Sequence, residues 1–133
     1  MREPVISIVA ALIRDQAGRV LLVRKRGTAA FMQPGGKRDP GEDDATALAR
    51  ELDEELGCRV VAGSARPLGE FVAPSANEPG WTVRAAVYAV DVTGEIAPRA
   101  EIEDIVWIDP AAAHGLTLAP LTRDHVLPLA RSD

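Results

Sequence analysis

Residues 35–58 read GGKRDPGEDDATALARELDEELGC, a glycine-rich turn running straight into a segment crowded with carboxylates. Between Gly36 and Cys58 stand eight acids (Asp39, Glu42, Asp43, Asp44, Glu51, Asp53, Glu54, Glu55) against three bases (Lys37, Arg38, Arg50). That local balance of −5 equals the formal net charge of the whole chain. The remainder of the sequence is therefore balanced, and the acidity is confined to one stretch. So local an excess calls for a physical reason.

The stretch from about Asp44 to Leu56 carries helix signals at both ends. Asp43 or Asp44 can cap the free N–H groups, acids occupy the first turn where the helix dipole favours them, and Gly57 stands where a left-handed C-terminal cap belongs. At about 100° per residue, Ala45, Leu48, Ala49, Leu52 and Leu56 fall in one narrow stripe that predicts a core-facing side. Glu51, Glu54 and Glu55 form a second cluster centred roughly 120° away. Like charges three and four residues apart repel by about 0.2–0.5 kcal/mol per pair on an isolated helix, so this face wants a cation. A solvated acidic face is the plain alternative, and the turn in front of the helix argues against it. Pro34-Gly35-Gly36 and Pro40-Gly41 bracket the helix entry with a loop whose backbone can approach a ligand closely. The candidate ligands are all oxygens, with no Cys and His cluster, which points to Mg²⁺ or Mn²⁺ rather than zinc. Magnesium commonly shares its shell with substrate phosphates, so phosphate chemistry is expected.

Gly36, five residues, Glu42, seven residues, then Arg50-Glu51-Leu52-Asp53-Glu54-Glu55-Leu56-Gly57-Cys58 resembles the Nudix box. Every polar and glycine position of that box is filled; Cys58 stands where the family has a bulky aliphatic, and a buried cysteine serves as a small hydrophobe there. The resemblance implies an α/β fold, an α/β/α sandwich with a mixed β-sheet and a loop-helix-loop catalytic motif. It also implies hydrolysis of a nucleoside diphosphate linked to another moiety.

Beyond the box, Val5–Ile13 and Val20–Val23 are apolar runs joined by Asp15-Gln16-Ala17-Gly18, read as two strands and a turn. Leu68–Ala73, Trp81–Val92 and Ile102–Ile108 are further strand candidates. Asp109-Pro110 and Ala119-Pro120 each place proline at a plausible first helical position, which predicts a short turn and a final helix limited by Pro128.

The 133 residues, without internal repeat or low-complexity tract, fit a single Nudix domain over 1–133. A chain of this size buries about two-thirds of its unfolded surface and needs no disulfide to fold. One cysteine forms no internal bridge. The apolar run near the N-terminus is too short for a bilayer and lacks a cleavage pattern, so the expectation is a cytoplasmic protein that does not enter a membrane. Net acidity and five aromatics without a basic stripe argue against binding a nucleic-acid polymer.

The resemblance carries roles to particular residues. Glu54 and Glu55 match metal ligands; Glu51 matches a position that ligates metal or acts as the base, two roles the sequence leaves open. The Gly35 carbonyl is a further ligand by resemblance. Arg50 matches a residue that orients a box carboxylate, while Gly36, Glu42 and Gly57 are structural in the motif. Glu101, in AEIEDIVW, resembles an additional metal-binding glutamate found ahead of a late tryptophan, although Glu103 and Asp104 compete for that place. Arg24-Lys25-Arg26 and Lys37 are cations available to substrate phosphates, with solvated basic turns as the alternative. Pro74 resembles a proline of family members that cleave ADP-ribose; the loop Pro74-Ser75-Ala76-Asn77-Glu78-Pro79-Gly80 otherwise reads as a connection. Phe31 and Trp81 are aromatics for base stacking or for the core. His114, His125 and Cys58 have no partner spacing and receive no chemistry, and the EF-hand pattern is absent around Asp39, Asp43 and Asp44.

Two functional classes follow. One is a Mg²⁺-dependent diphosphohydrolase acting on a nucleoside triphosphate, an oxidised one included, or on a nucleotide sugar such as ADP-ribose. The other is a non-catalytic nucleotide-binding regulatory domain, disfavoured because members of that kind often lose box acids. A homodimer is plausible by resemblance alone.

Overall fold

The computed structural model describes residues 4–112 and 115–132, so His114 lies outside the described residues. Strand β1 (Val5–Leu12) runs through a four-stranded mixed sheet with β3 (Gly35–Gly36), β5 (Arg66–Pro74) and β6 (Thr82–Ala89), in the order β3-β1-β6-β5. The β1 and β6 strands are parallel, from Val5 opposite Thr82 to Leu12 opposite Ala89; the other two pairings are antiparallel. A second pair joins β2 (Val20–Lys25) to β8 (Ile102–Ile108), and β4 (Arg59–Val60) pairs with β7 (Val92–Thr93). The backbone bond from Leu21 N–H to the Ile13 carbonyl, 3.0 Å, ties the end of β1 to the start of β2.

Side-chain alternation along β1 divides two cores. Val9, Ala11 and Ile13 face helix α1 (Asp44–Leu56), packing with Leu48, Leu52, Leu56 and Cys58. Ala10 and Leu12 face the opposite layer, with Val20, Leu22, Val87, Leu121, Val126 and Leu127. Strand β2 is covered from both sides, which explains why Val20-Leu21-Leu22-Val23 is continuously apolar rather than alternating. Helix, sheet and C-terminal helix thus form the α/β/α sandwich expected from the sequence.

The signals at the ends of α1 operate as read. The Asp43 carboxylate accepts the Thr46 N–H at 2.8 Å, and Gly57 closes the helix in the left-handed conformation. The buried side differs from the expected stripe. Ala45 and Ala49 are exposed, whereas Ala47 and Glu55 are buried beside Leu48, Leu52 and Leu56. The packed arc is rotated toward the carboxylates because β3 and the end of β1 lie against that side of the helix. Leu52 is fully covered, so Leu52→Ala costs about 2–5 kcal/mol through the cavity it leaves.

Two expectations change in detail and the short turn after Asp109-Pro110 is met. Gly35 and Gly36, read as loop, pair with Ala10 and Val9 as a short strand. After Pro110 the chain makes a turn, with Ala112 N–H bonded to the Asp109 carbonyl. The final helical segment begins at Pro120 and continues past Pro128, because Thr122–Val126 forms a π-helical turn before α2 (Leu127–Ser132). Widening the turn lets Leu127 N–H reach the Thr122 carbonyl, so the helix carries Pro128 without ending there.

Candidate active site

The Gly35–Gly36 edge brings two box carboxylates around the sheet. A Cβ at Gly36 would lie 2.6–2.8 Å from the carboxyl atoms of Glu51, so the missing side chain is the space Glu51 occupies. Gly35 has φ +149°, and a Cβ there would stand 2.1 Å from the Val9 carbonyl oxygen; only glycine allows β3 to lie so close to β1. The Gly35 N–H donates to Glu55 Oε1 at 3.4 Å, a long bond that nonetheless turns this carboxylate toward the strand. Glu55 is 3% exposed. Its burial, followed by the adjacent Glu51 charge, pushes its carboxyl up to about 8.

Arg50 organises the surrounding loop. Its Nε and Nη2 donate to the two Glu42 oxygens, both at 2.8 Å, a two-pronged contact matched to the planar guanidinium. Nη1 reaches Glu51 Oε1 at 3.0 Å and Glu54 Oε1 at 3.4 Å, and Nη2 also donates to the Lys37 carbonyl at 3.0 Å. Glu42 in turn accepts the Asp39 N–H at 2.6 Å. The Arg50 pairing, then the Asp39 N–H, lower the Glu42 carboxyl to about 2. Loop and helix are thereby locked through one arginine.

A cavity of about 340 Å³ opens from this edge. Its charged lining comprises Lys25, Lys37, Glu51, Glu55, Glu78 and Glu101, and Gly35 and Gly36 form part of its wall. Ile6, Ile8 and Ala10, alternate residues of β1, supply an apolar floor with Val83. From Ala10, opposite Gly35, to Ile6, opposite Val83, that floor extends about 13 Å at about 3.3 Å per residue. It is long enough for a nucleotide.

The expected site residues divide by position. Glu51, Glu55, Gly35, Gly36, Lys25, Lys37 and Glu101 line the cavity. Glu101 holds Lys25 at 3.6 Å. Glu54 is exposed beside Arg50, outside the lining. Arg24 is turned away: it binds the Thr28 carbonyl, pairs with Glu103 and Asp104, and lies 5.9 Å over the Phe31 ring. Arg26 reaches Glu103 at 3.7 Å, also away from the cavity. Of the three neighbouring acids, Glu101 lines the cavity, whereas Glu103 and Asp104 pair with Arg24 and do not line it. Gly57 meets the Arg99 guanidinium rather than the cavity. Neither Phe31 nor Trp81 lines it, whereas Pro74, Ser75, Ala76, Asn77 and Glu78 do, so that loop is part of the wall.

Gln33 and Thr122 also line the cavity and were not singled out in the sequence. They are 89 positions apart, and no local pattern in the sequence marks them. Among the described residues no three carboxylate, imidazole or thiol groups already converge as a metal cluster. The donor set nevertheless suits a hard divalent ion: Glu51 and Glu55 crowd two acids around one glycine edge, and burial followed by the Glu51 charge raises the Glu55 carboxyl. Glu54 and Glu101, themselves exposed and paired with Arg50 and Lys25, offer oxygens at the margin.

Comparison with known proteins agrees with this arrangement. The NUDIX domain model matches residues 4–130. The CTP pyrophosphohydrolase of Escherichia coli K12 is 31% identical over 121 residues, covering 86% of this chain and 84% of that protein. The 8-oxo-dGTP diphosphatase of Haemophilus influenzae is 39% identical over 61 residues, a stretch covering 43% of this chain and 45% of its own length. The chain therefore spans less than half of that relative. The crystal structure of the MutT NUDIX hydrolase from Burkholderia pseudomallei superposes with a TM-score of 0.74 at 26% identity, over 98% of both chains. With a matched family model across nearly its whole length and an Arg50-locked glutamate cluster on the Gly35–Gly36 edge, this chain belongs to the Nudix family.

Proposed function

We propose that this chain hydrolyses the diphosphate linkage of a nucleoside triphosphate or related nucleoside diphosphate derivative, with Mg²⁺ or Mn²⁺ as cofactor. The observation that carries the reading is the pairing of Glu51 with buried Glu55 around a side-chain-free glycine edge, at the charged part of a nucleotide-sized cavity. The relatives' names, a CTP pyrophosphohydrolase and an 8-oxo-dGTP diphosphatase, favour nucleoside triphosphates, oxidised ones included, over nucleotide sugars.

In this reading Glu51, Glu54, Glu55, the Gly35 carbonyl and Glu101 hold the metal. A bound divalent ion neutralises phosphate oxygens and lowers the pKa of a bound water. Glu51 or Glu55 takes the proton from the attacking water, since both line the cavity beside the glycine edge. Arg50 keeps Glu51 aimed, and Lys25 and Lys37 meet substrate phosphates. Glu42, Gly36 and Gly57 support the loop and the helix end. The same reading takes residues 1–133 as one domain, acting on small nucleotides in the cytoplasm, with no nucleic-acid polymer or membrane as partner and a homodimer as its assembly. Among the described residues no helix is long and apolar enough to cross a membrane.

The test is turnover across a panel of nucleoside di- and triphosphates, oxidised guanine nucleotides and nucleotide sugars, with Mg²⁺ and then with chelator. At least one substrate should release a nucleoside monophosphate with Mg²⁺, and chelator should stop it. Silence across the panel would favour the binding-only alternative.

A further inference from the structure

Gln33 is 6% exposed and Thr122 fully buried, yet both lie on the cavity wall. The Thr122 hydroxyl donates to Gln33 Oε1 at 2.8 Å. With the Thr122 hydroxyl donating to Oε1, Gln33 Nε2 is left without a hydrogen-bond partner among the described residues. The backbone on either side is pinned: Met32 pairs with Val23, and the Pro34 carbonyl accepts the Ala11 N–H at 2.9 Å. Gln33 therefore cannot move away as a unit. Buried amide groups are nearly always paired, because leaving one unpaired forfeits its hydration without return. An amide held by a buried threonine, with its donor end unused at a cavity, is the arrangement of a recognition group whose partner arrives with the ligand.

The neighbouring surfaces indicate which part of a nucleotide this is. Ile6, Ile8, Val83, Met32, Ala119 and Leu121 supply the cavity's apolar wall, the last two just ahead of Thr122 in the chain, while Glu51 and Glu55 stand by the glycine edge. A triphosphate suits the charged part and a nucleobase the apolar part. An N–H donor in apolar surroundings needs an acceptor; the bases offer ring nitrogens and keto oxygens, and the stronger acceptor, with two lone pairs, is a keto oxygen. Guanine, cytosine and uracil carry one; adenine does not.

Resting on the nucleotide-hydrolase reading above, we infer that Gln33, held in place by Thr122, is a specificity residue that donates through Nε2 to a keto oxygen of the substrate's base.

Calorimetric titration of the full chain with methylene-bridged, non-hydrolysable analogues of GTP, CTP, UTP and ATP, and with base-free ribose 5-triphosphate, separates the possibilities. Gln33→Leu keeps the volume and removes the amide. Weakening of the keto-base nucleotides that wild type binds on the order of tenfold is expected, with ATP and ribose triphosphate changed by less than about twofold. Gln33→Leu/Thr122→Val removes both polar groups together and is the companion variant, with the same pattern expected and a melting temperature no lower than that of wild type. Equal affinities in wild type and both variants, equal losses that include ribose triphosphate, or a wild type that binds only adenine nucleotides would each overturn the inference. A wild type that binds none of these ligands would remove the nucleotide-hydrolase reading as well, whereas wild-type binding with indifferent variants removes the Gln33 role alone.

Discussion

The carboxyl group of Glu51 fills the space where a Gly36 side chain would stand, within 2.6–2.8 Å of a Cβ built there. The box glycine and the box glutamate, fifteen residues apart, are thus two halves of one contact. Gly36 itself does not have the positive φ of Gly35, so its backbone accepts alanine. Only the far end of a flexible side chain must move.

Gly36→Ala should therefore leave the fold nearly intact while disabling the chemistry. A displacement of Glu51 by about 1 Å is expected to lower kcat on the order of a hundredfold. Gly35→Ala is the contrast: its Cβ meets the Val9 backbone, so the melting temperature should fall together with activity. Thermal melts and steady-state kinetics on both variants check the pair.

The raised Glu55 carboxyl fixes the sign of a pH effect. Its ordinary value of 4.5 moves to about 8 in the fold through burial and the Glu51 charge. The folded chain then keeps a proton that the unfolded chain releases, and stability falls as pH rises between those values. The contribution is fully present below about 4.5 and is lost as pH passes through about 8. In chelator, wild type should lose melting temperature across this window relative to Glu55→Gln, which imitates the protonated form. Mg²⁺ should restore wild type most strongly at the alkaline end, because metal and proton compete for the same oxygens. Parallel profiles for the two proteins would contradict this.

Arg50 binds Glu42 with two nitrogens while touching Glu51, Glu54 and the Lys37 carbonyl. Lysine offers one point charge and cannot reproduce that fork. Arg50→Lys should cost roughly 10–100-fold in activity, as loss of a group that orients a metal ligand does. Hydrogen exchange should quicken at the Asp39 amide, whose acceptor is Glu42.

Lys25 and Arg24 are neighbours with opposite assignments. Lys25 lines the cavity, whereas Arg24 is committed to Thr28, Glu103, Asp104 and the Phe31 ring. Lys25→Ala should raise KM on the order of tenfold, in line with a lost charged contact to substrate of about 1.5–3 kcal/mol. Arg24→Ala should lower the melting temperature and leave KM near wild type.

The legible parts of the sequence were those set by short-range rules. Asp43 and Gly57 bound α1 where their capping chemistry places them, and Ile102–Ile108 is the strand its β-branched residues predict. The helical stripe was less exact, since Ala45 and Ala49 are as apolar as Ala47 but nothing local says where β3 will pack. Gly35–Gly36 became a strand because close approach to β1 needs glycine, a tertiary demand that local turn preferences do not express. The site was half legible in the same sense. Glu51 and Glu55 follow from helical spacing, whereas Gln33 meets Thr122 only after the C-terminal segment pairs beside Phe31, with Ala119 N–H bonded to the Phe31 carbonyl. Basic residues at Arg24 and Arg26 looked equivalent to Lys25 in sequence, and only the acids of β8 separate them.

The most direct measurement is Mg²⁺-dependent nucleoside monophosphate release from a nucleoside triphosphate panel, by wild type beside Glu51→Gln, Glu54→Gln and Glu55→Gln. Wild type should turn over at least one member, and each substitution should reduce that turnover by about a hundredfold or more, as removal of a principal charge-stabilising or proton-accepting group does. Wild-type rates retained in all three variants, or a wild type as inert as they are, would contradict catalysis by this cluster.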